Sequence, residues 1–219
     1  MNNFFSLTLL LLITSCGSNQ PYGDPNKKPE SKEKTEKTVF LFVGDSLTAG
    51  YGVDIEDCFV SLLKNEFEKS NSPWQIKNAG ITGETSAGTL ARIDWLIASK
   101  PKMIFLCIGS NDGLRGIRAE VFHKNLKEII EKINKTDIKL ILAGVKIPYN
   151  YGVEYMGKIN AVPKTLAKEF SLLYYPFLLS GVAARSELNQ DDFVHPNAKG
   201  HQVIFENLKS FFKKNDILE

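Results

Sequence analysis

Asp192-Phe193-Val194-His195 sets a carboxylate three residues ahead of an imidazole, close enough for the two to meet within one turn of chain. A carboxylate in that position takes the Nδ1 hydrogen, fixes the tautomer and stabilises the charged ring, which leaves Nε2 free to act as a base. Such a base serves a weak nucleophile, and the sequence offers one far upstream: Ser46 in GDSLTAGYG, directly after the apolar run TVFLFV. A serine hydroxyl attacks a carbonyl only once a neighbouring base takes its proton. The oxygen that then turns negative needs fixed donors. Gly83, in ITGET, offers an unobstructed backbone N–H; Asn111, in GSND, offers a side-chain amide; the Ser46 backbone N–H is a third. Each residue also has a plain structural reading, since Asp, Ser, Asn and Gly are ordinary turn and cap residues. Thr48 stands two residues past Ser46, so the glycine-flanked elbow of α/β-hydrolases is not supported.

These residues need a scaffold, and the hydropathy pattern supplies one. Strands are expected at TVFLFV (38–43), WQIKN (74–78), KMIFLCIG (102–109), IKLILAGVKI (138–147) and LLYYPF (172–177). Helical periodicity separates them, through Phe59, Leu62, Leu63 and Phe67; through Leu90, Ile93 and Ile97; and through Phe122, Leu126, Ile129, Ile130 and Ile133. A stretch interrupted by Pro163 and a last helix carrying Ile204, Leu208, Phe211 and Phe212 complete the series. Strands alternating with helices imply crossover connections, hence a mostly parallel sheet covered on both faces. Ligands of such sheets sit beyond the carboxyl ends of the strands. Ser46, Gly83 and Asn111 each follow a predicted strand, and the Asp192–His195 pair precedes the last helix.

The chain has 219 residues and 43% hydrophobic content, enough for one domain with a full core. Its 27 basic and 25 acidic residues leave a net charge of +2, which provides no electrostatic case for nucleic acid. Residues 1–16, MNNFFSLTLLLLITSC, hold an apolar core too short to span a bilayer but suited to a secretory signal. Its end, Ile13-Thr14-Ser15-Cys16, resembles a bacterial lipobox, which implies lipidation at Cys16 and anchoring in the bacterial cell envelope, on a periplasmic or outer-membrane face. Residues 17–37 lack aliphatic side chains and crowd their charges into the second half, the composition of a disordered tether. Cys58 and Cys107 do not make a disulfide framework and are expected to be buried as small apolar residues. Asp191, His195 and His201 show no recognised metal-ligand spacing, so no metal or cofactor is expected.

Taken together and in order, Ser46, Gly83, Asn111 and His195 resemble the SGNH, or GDSL, hydrolase superfamily. GDSLTAGYG, NAGITGETSAGTLARI, GSNDGLRG, IPYNYGVEY and DDFVHPN extend the likeness to its branch of bacterial arylesterases, thioesterases and lysophospholipases, over residues 38–213. One departure is Ser110, where close relatives often carry glycine. The resemblance implies a flavodoxin-like three-layer α/β/α domain, strand order 2-1-3-4-5, that hydrolyses esters or thioesters without a metal; the domain is expected over residues 38–219, acting on small or medium acyl esters, lysophospholipids or acyl thioesters. It implies Ser46 as nucleophile, His195 as base then acid, Asp192 as its orienting partner, and Ser46, Gly83 and Asn111 around the oxyanion. Leu114, Ile147, Tyr149 and Tyr151, with Met156, are expected along an acyl groove. The expected partner is a small ester or lipid substrate. Carbohydrate deacetylation and a catalytically silent envelope lipoprotein are the competing readings.

Overall fold

The computed structural model describes residues 37–147 and 151–218. The expected signal segment, Cys16, the expected tether up to residue 36 and Tyr149 lie outside the described residues. Strand β1 (Thr38–Gly44) is buried from Phe40 onward, and β3 (Met103–Cys107) is buried at every position. Strands apolar on both sides are stable only in the middle of a covered sheet. β1 pairs in parallel with β3 and with β2 (Trp74–Gly80), while β4 (Lys139–Ala143) and β5 (Leu173–Tyr175) extend the sheet beyond β3. The order is β2-β1-β3-β4-β5, parallel throughout, as the resemblance implies.

Helices cover both faces. After β1 come the short turn α1 (Ser46–Ala49) and α2 (Phe59–Lys69), which packs on α7 (Ala198–Lys214). α3 (Ser86–Ala98) packs on α5 (Ala119–Asn134), and α5 on α6 (Val153–Glu169); α4 (Ser110–Leu114) is a single turn after β3. Right-handed crossovers dictate this division, because the chain moves one way from β1 to β2 and the opposite way from β2 to β3. Phe40 and Phe42, two apart on β1, point to the same face. There Phe40 meets Phe212 of α7 at 5.6 Å between ring centres, and Phe42 meets Phe59 of α2 at 6.2 Å. These rings are fully buried. Full burial of one such side chain contributes about 1.5–3 kcal/mol.

Several element limits differ from expectation. β2 runs on to Gly80, whereas β4 stops at Ala143; the Gly144 N–H still donates to the Tyr175 carbonyl of β5 at 2.8 Å, and residues 145–147 leave the sheet. Pro163 does not interrupt its helix: α6 continues through it, with Met156, Ile159, Val162, Pro163 and Leu166 buried. The missing N–H costs one backbone bond, and the apolar face that packs on α5 outweighs it. The buried stripe of α3 is Ser86, Thr89, Ile93 and Leu96, with Leu90 and Ile97 at its margins. Cys58 is the N-cap residue of α2 rather than part of it; both Cys58 and Cys107 are buried and unpaired.

Register positions the chemistry. Gly44 of β1 is level with Gly80 of β2 and Cys107 of β3. The segments that follow these strands therefore leave the sheet side by side, at the place where the strand order reverses direction. In open parallel sheets that place is the natural ligand crevice.

Candidate active site

The nucleophile candidate is set by a cap. Asp45 Oδ1 accepts from the Leu47 N–H at 3.0 Å, which starts a helical turn immediately after the strand and makes Ser46 its first residue. Gly50, in the left-handed region, ends the turn by donating its N–H to the Ser46 carbonyl at 3.1 Å. Ser46 Oγ is thereby held at the sheet edge. Its hydroxyl donates to His195 Nε2 at 2.9 Å, and His195 Nδ1 donates to Asp192 Oδ2 at 2.6 Å. The other carboxylate oxygen, Asp192 Oδ1, accepts from the N–H groups of Val194 and His195, both at 2.9 Å. Burial by itself would raise the Asp192 carboxyl, but the donors from His195 and Val194 prevail and hold it below the usual carboxylate value. An ionised Asp192 is what a partner for imidazolium requires.

The turn between these two residues is strained. Phe193 has φ +58°, a conformation that bulky residues avoid. The two carboxylate bonds to the following amides impose it, and they leave Phe193 64% exposed at the mouth of the site.

Loops after β2 and β3 are braced against each other. Asn111 Nδ2 donates to the Glu84 carbonyl at 3.0 Å, and Arg115 Nη2 to the Gly83 carbonyl at 2.7 Å. Arg92 grips the buried Glu84 carboxylate through two bonds, of 2.6 and 2.5 Å, and also donates to the Ala79 carbonyl at 2.7 Å. Ser86 donates its N–H and hydroxyl to the Asp112 carboxylate at 2.8 and 2.5 Å. The result is a fixed backbone around Gly83, whose φ of +77° suits glycine. An amide carries two N–H groups, so Asn111 keeps one for a ligand after holding Glu84.

A cleft of about 640 Å³ opens beside these loops, and Gly83 is not part of its lining. Ser46, Asn111 and His195 line it, as do Leu114, Ile147 and Met156. Tyr151 does not; it borders a separate depression with Arg118 and Lys158. Sequence reasoning missed Lys146, Phe177, Leu179, Phe193 and Val194, all in the lining. Lys146 Nζ lies 4.9 Å from the centre of the Phe177 ring. Exposed apolar residues between an Asp and a His were the one available signal, for Phe193 and Val194. Tyr51, also missed, lays its ring 4.8 Å from the imidazole of His195.

Asp45 lines the cleft beside Ser46, and Cys107, on β3, sits level with Gly44 of β1. Asp45 is 1% exposed, and its Oδ2 meets no hydrogen-bond partner among the described residues. Burial pushes its carboxyl up to about 6, against the opposing effects of Leu47, Ser110 and His195. Burial likewise pushes the Cys107 thiol well above its ordinary range, so it is inert.

An imidazole joined to both a hydroxyl and a carboxylate, at the carboxyl edge of a flavodoxin-like sheet, defines a hydrolase of the serine type. The sequence pattern of the GDSL-like Lipase/Acylhydrolase family matches residues 42–203, and the chain belongs to that family. It is 34% identical to the esterase TesA of Pseudomonas aeruginosa, over 78% of this chain and 85% of that protein. It is 33% identical to the thioesterase 1/protease 1/lysophospholipase L1 of Escherichia coli, over 76% of this chain and 79% of that one. Among solved structures, the psychrotrophic esterase EstA from Pseudoalteromonas, inhibited by monoethylphosphonate, superimposes with a TM-score of 0.78 at 31% identity, covering 81% of this chain and 98% of its own.

Proposed function

We propose that this serine hydrolase cleaves small to medium acyl esters through an acyl-enzyme on Ser46. Ser46 Oγ attacks the acyl carbonyl as its proton passes to His195 Nε2, and Asp192 balances the imidazolium. The carbonyl oxygen becomes negative between the N–H groups of Ser46 and Gly83 and the Asn111 amide. Collapse breaks the bond to the leaving oxygen, which takes the proton from His195. Water then enters, gives its proton to the same nitrogen, and attacks the acyl carbon; the second collapse returns the proton to Ser46 Oγ and releases the acid.

The unbroken run of 2.9 and 2.6 Å hydrogen bonds from Ser46 to Asp192 carries this reading. Leu114, Ile147, Met156, Phe177 and Leu179 give the cleft an apolar wall suited to an acyl chain. The relatives named as an esterase and as a thioesterase and lysophospholipase support acyl esters as the substrate class. A lipid anchor at Cys16 and a tether over residues 17–37 would hold the enzyme at an envelope membrane; such a tether spans about 25 Å on average and about 70 Å stretched.

Initial rates against p-nitrophenyl esters of rising acyl length, a lysophospholipid and a sugar acetate test the reading. Expected is Ser46-dependent turnover that peaks at a short or medium acyl chain. Turnover no faster than that of Ser46→Ala on every substrate would return the chain to a binding role, and a preference for the sugar acetate would replace the acyl-chain assignment. Cys16→Ser is expected to release the protein from the membrane fraction; retention there would remove the anchor.

A further inference from the structure

Gln190 stands two residues ahead of Asp192 and half-buried behind His195. Its side-chain amide has two hydrogens, and both are used: Nε2 donates to the Tyr51 carbonyl at 2.8 Å and to the Pro196 carbonyl at 2.9 Å. With two carbonyls as acceptors, only the NH₂ end fits there, so the orientation of the amide is set by chemistry. The main chain of Gln190 closes the same loop from within. Its N–H donates to the His195 carbonyl at 2.8 Å, and its carbonyl accepts from the Phe193 N–H at 2.9 Å.

Tyr51 belongs to the segment that begins at the nucleophile, for its N–H donates to the Ser46 carbonyl at 3.1 Å. One amide therefore ties the backbone that carries Ser46 to the backbone beside His195, although the two stretches are far apart in sequence. Holding Tyr51 also holds the aromatic ring that packs on the imidazole. Gly52 supplies independent support. A Cβ at that position would lie 2.1 Å from Gln190 Oε1, and its φ of +76° suits glycine, so the chain keeps open the space that the amide fills.

We propose that Gln190 is a positioning residue for hydrolysis, a clamp between the nucleophile segment and the base loop that keeps His195 Nε2 aligned on Ser46 Oγ. The inference rests on the acyl-hydrolase reading above. A misplacement of about 1 Å between reacting groups costs about 100-fold in rate, so releasing the clamp bears on kcat rather than on substrate binding.

The test uses the full chain with Gln190→Glu, which keeps the shape but faces two carbonyls with an acceptor, and Gln190→Met, which keeps the length without donors. Expected in both is a kcat lowered about 10- to 100-fold with KM within about threefold of wild type. The low-field proton resonance that the 2.6 Å contact leads one to expect of His195 Nδ1–H in the wild type should broaden or vanish in both, while cooperative thermal unfolding is retained. The Met variant decides if the Glu variant does not fold. Retention of more than about a third of wild-type kcat, an unchanged resonance, or loss of cooperative unfolding in both variants would overturn the proposal. Absence of Ser46-dependent turnover in the wild type would instead sink the acyl-hydrolase reading, while the resonance would still report on the clamp.

Discussion

His195 and His201 lie on either side of the first residue of α7, yet they meet opposite surroundings. His195 has a carboxylate on one nitrogen at 2.6 Å, a hydroxyl on the other at 2.9 Å, and an edge in the cleft. His201 is 1% exposed, stacked 5.9 Å from Phe59 with the rings 15° apart, and its Nδ1 accepts the Phe59 N–H at 3.3 Å. Burial, with a contribution from the nearby His195, pushes the His201 ring down to about 4. An imidazole that an anion faces and a cleft reaches is placed to carry a proton. One sealed against a phenylalanine satisfies the first turn of α2.

Removing the hydroxyl or the imidazole of the hydrogen-bonded run should have the largest effect. Ser46→Ala and His195→Ala are each expected to lower kcat/KM by at least about 10³-fold, and the double variant by no more than either alone. Additive losses in ester hydrolysis would mean that the two groups do not act as a unit. Asp192→Asn, which keeps the shape but removes the charge, is expected to lower kcat/KM about 10²- to 10³-fold. An undiminished rate would leave the imidazole without need of its anion, and the contrast with His201 would lose its basis.

His201→Leu tests the other side of the comparison. It leaves the Phe59 N–H unsatisfied and should destabilise the fold by about 1–3 kcal/mol at pH 7, with kcat/KM within about threefold. In the wild type the folded ring titrates at about 4 against an ordinary 6.5, so the unfolded chain takes the proton first as pH falls through that window. Stability contributed by the neutral ring is thus present above 6.5 and lost toward 4. Denaturant unfolding of His201→Leu across pH should lack that acid-side loss.

Asp45 offers a smaller effect of opposite sign. Its folded carboxyl titrates at about 6 against an ordinary 3.8, so between these values the folded state holds a proton that the unfolded chain has released. Stability falls as pH rises through this window. Asp45→Asn keeps an acceptor for Leu47 and removes the buried charge; it should gain about 1 kcal/mol at pH 7 and nothing at pH 4. Equal gains at both would assign the effect to packing.

The strands and the Asp192–His195 contact were legible for a common reason. An apolar run that ends in small polar residues marks a strand end, and an Asp three before a His is a local contact that needs little of the fold. Limits of elements were less legible: the apolar run through Ile147 reads as one strand, but β5 pairs β4 only over Ile141–Ala143, and Lys146 and Ile147 line the cleft. Tyr151 illustrates the cost of reading a lining from composition, since aromatic residues near a helix start face whichever side the chain has reached. Gln190 and Tyr51 gave no signal, because their significance is a bond between two distant segments.

Composition, periodicity and the polar ends of apolar runs determined the layered parallel sheet and the residue types available at its carboxyl edge, since these depend on neighbours along the chain. Tertiary structure alone decided which glutamine ties the Asp192–His195 loop to the serine segment, and which side chains wall the cleft. Those outcomes depend on register and crossover direction, which bring together groups from near the start and near the end of the domain in a way that no local pattern encodes.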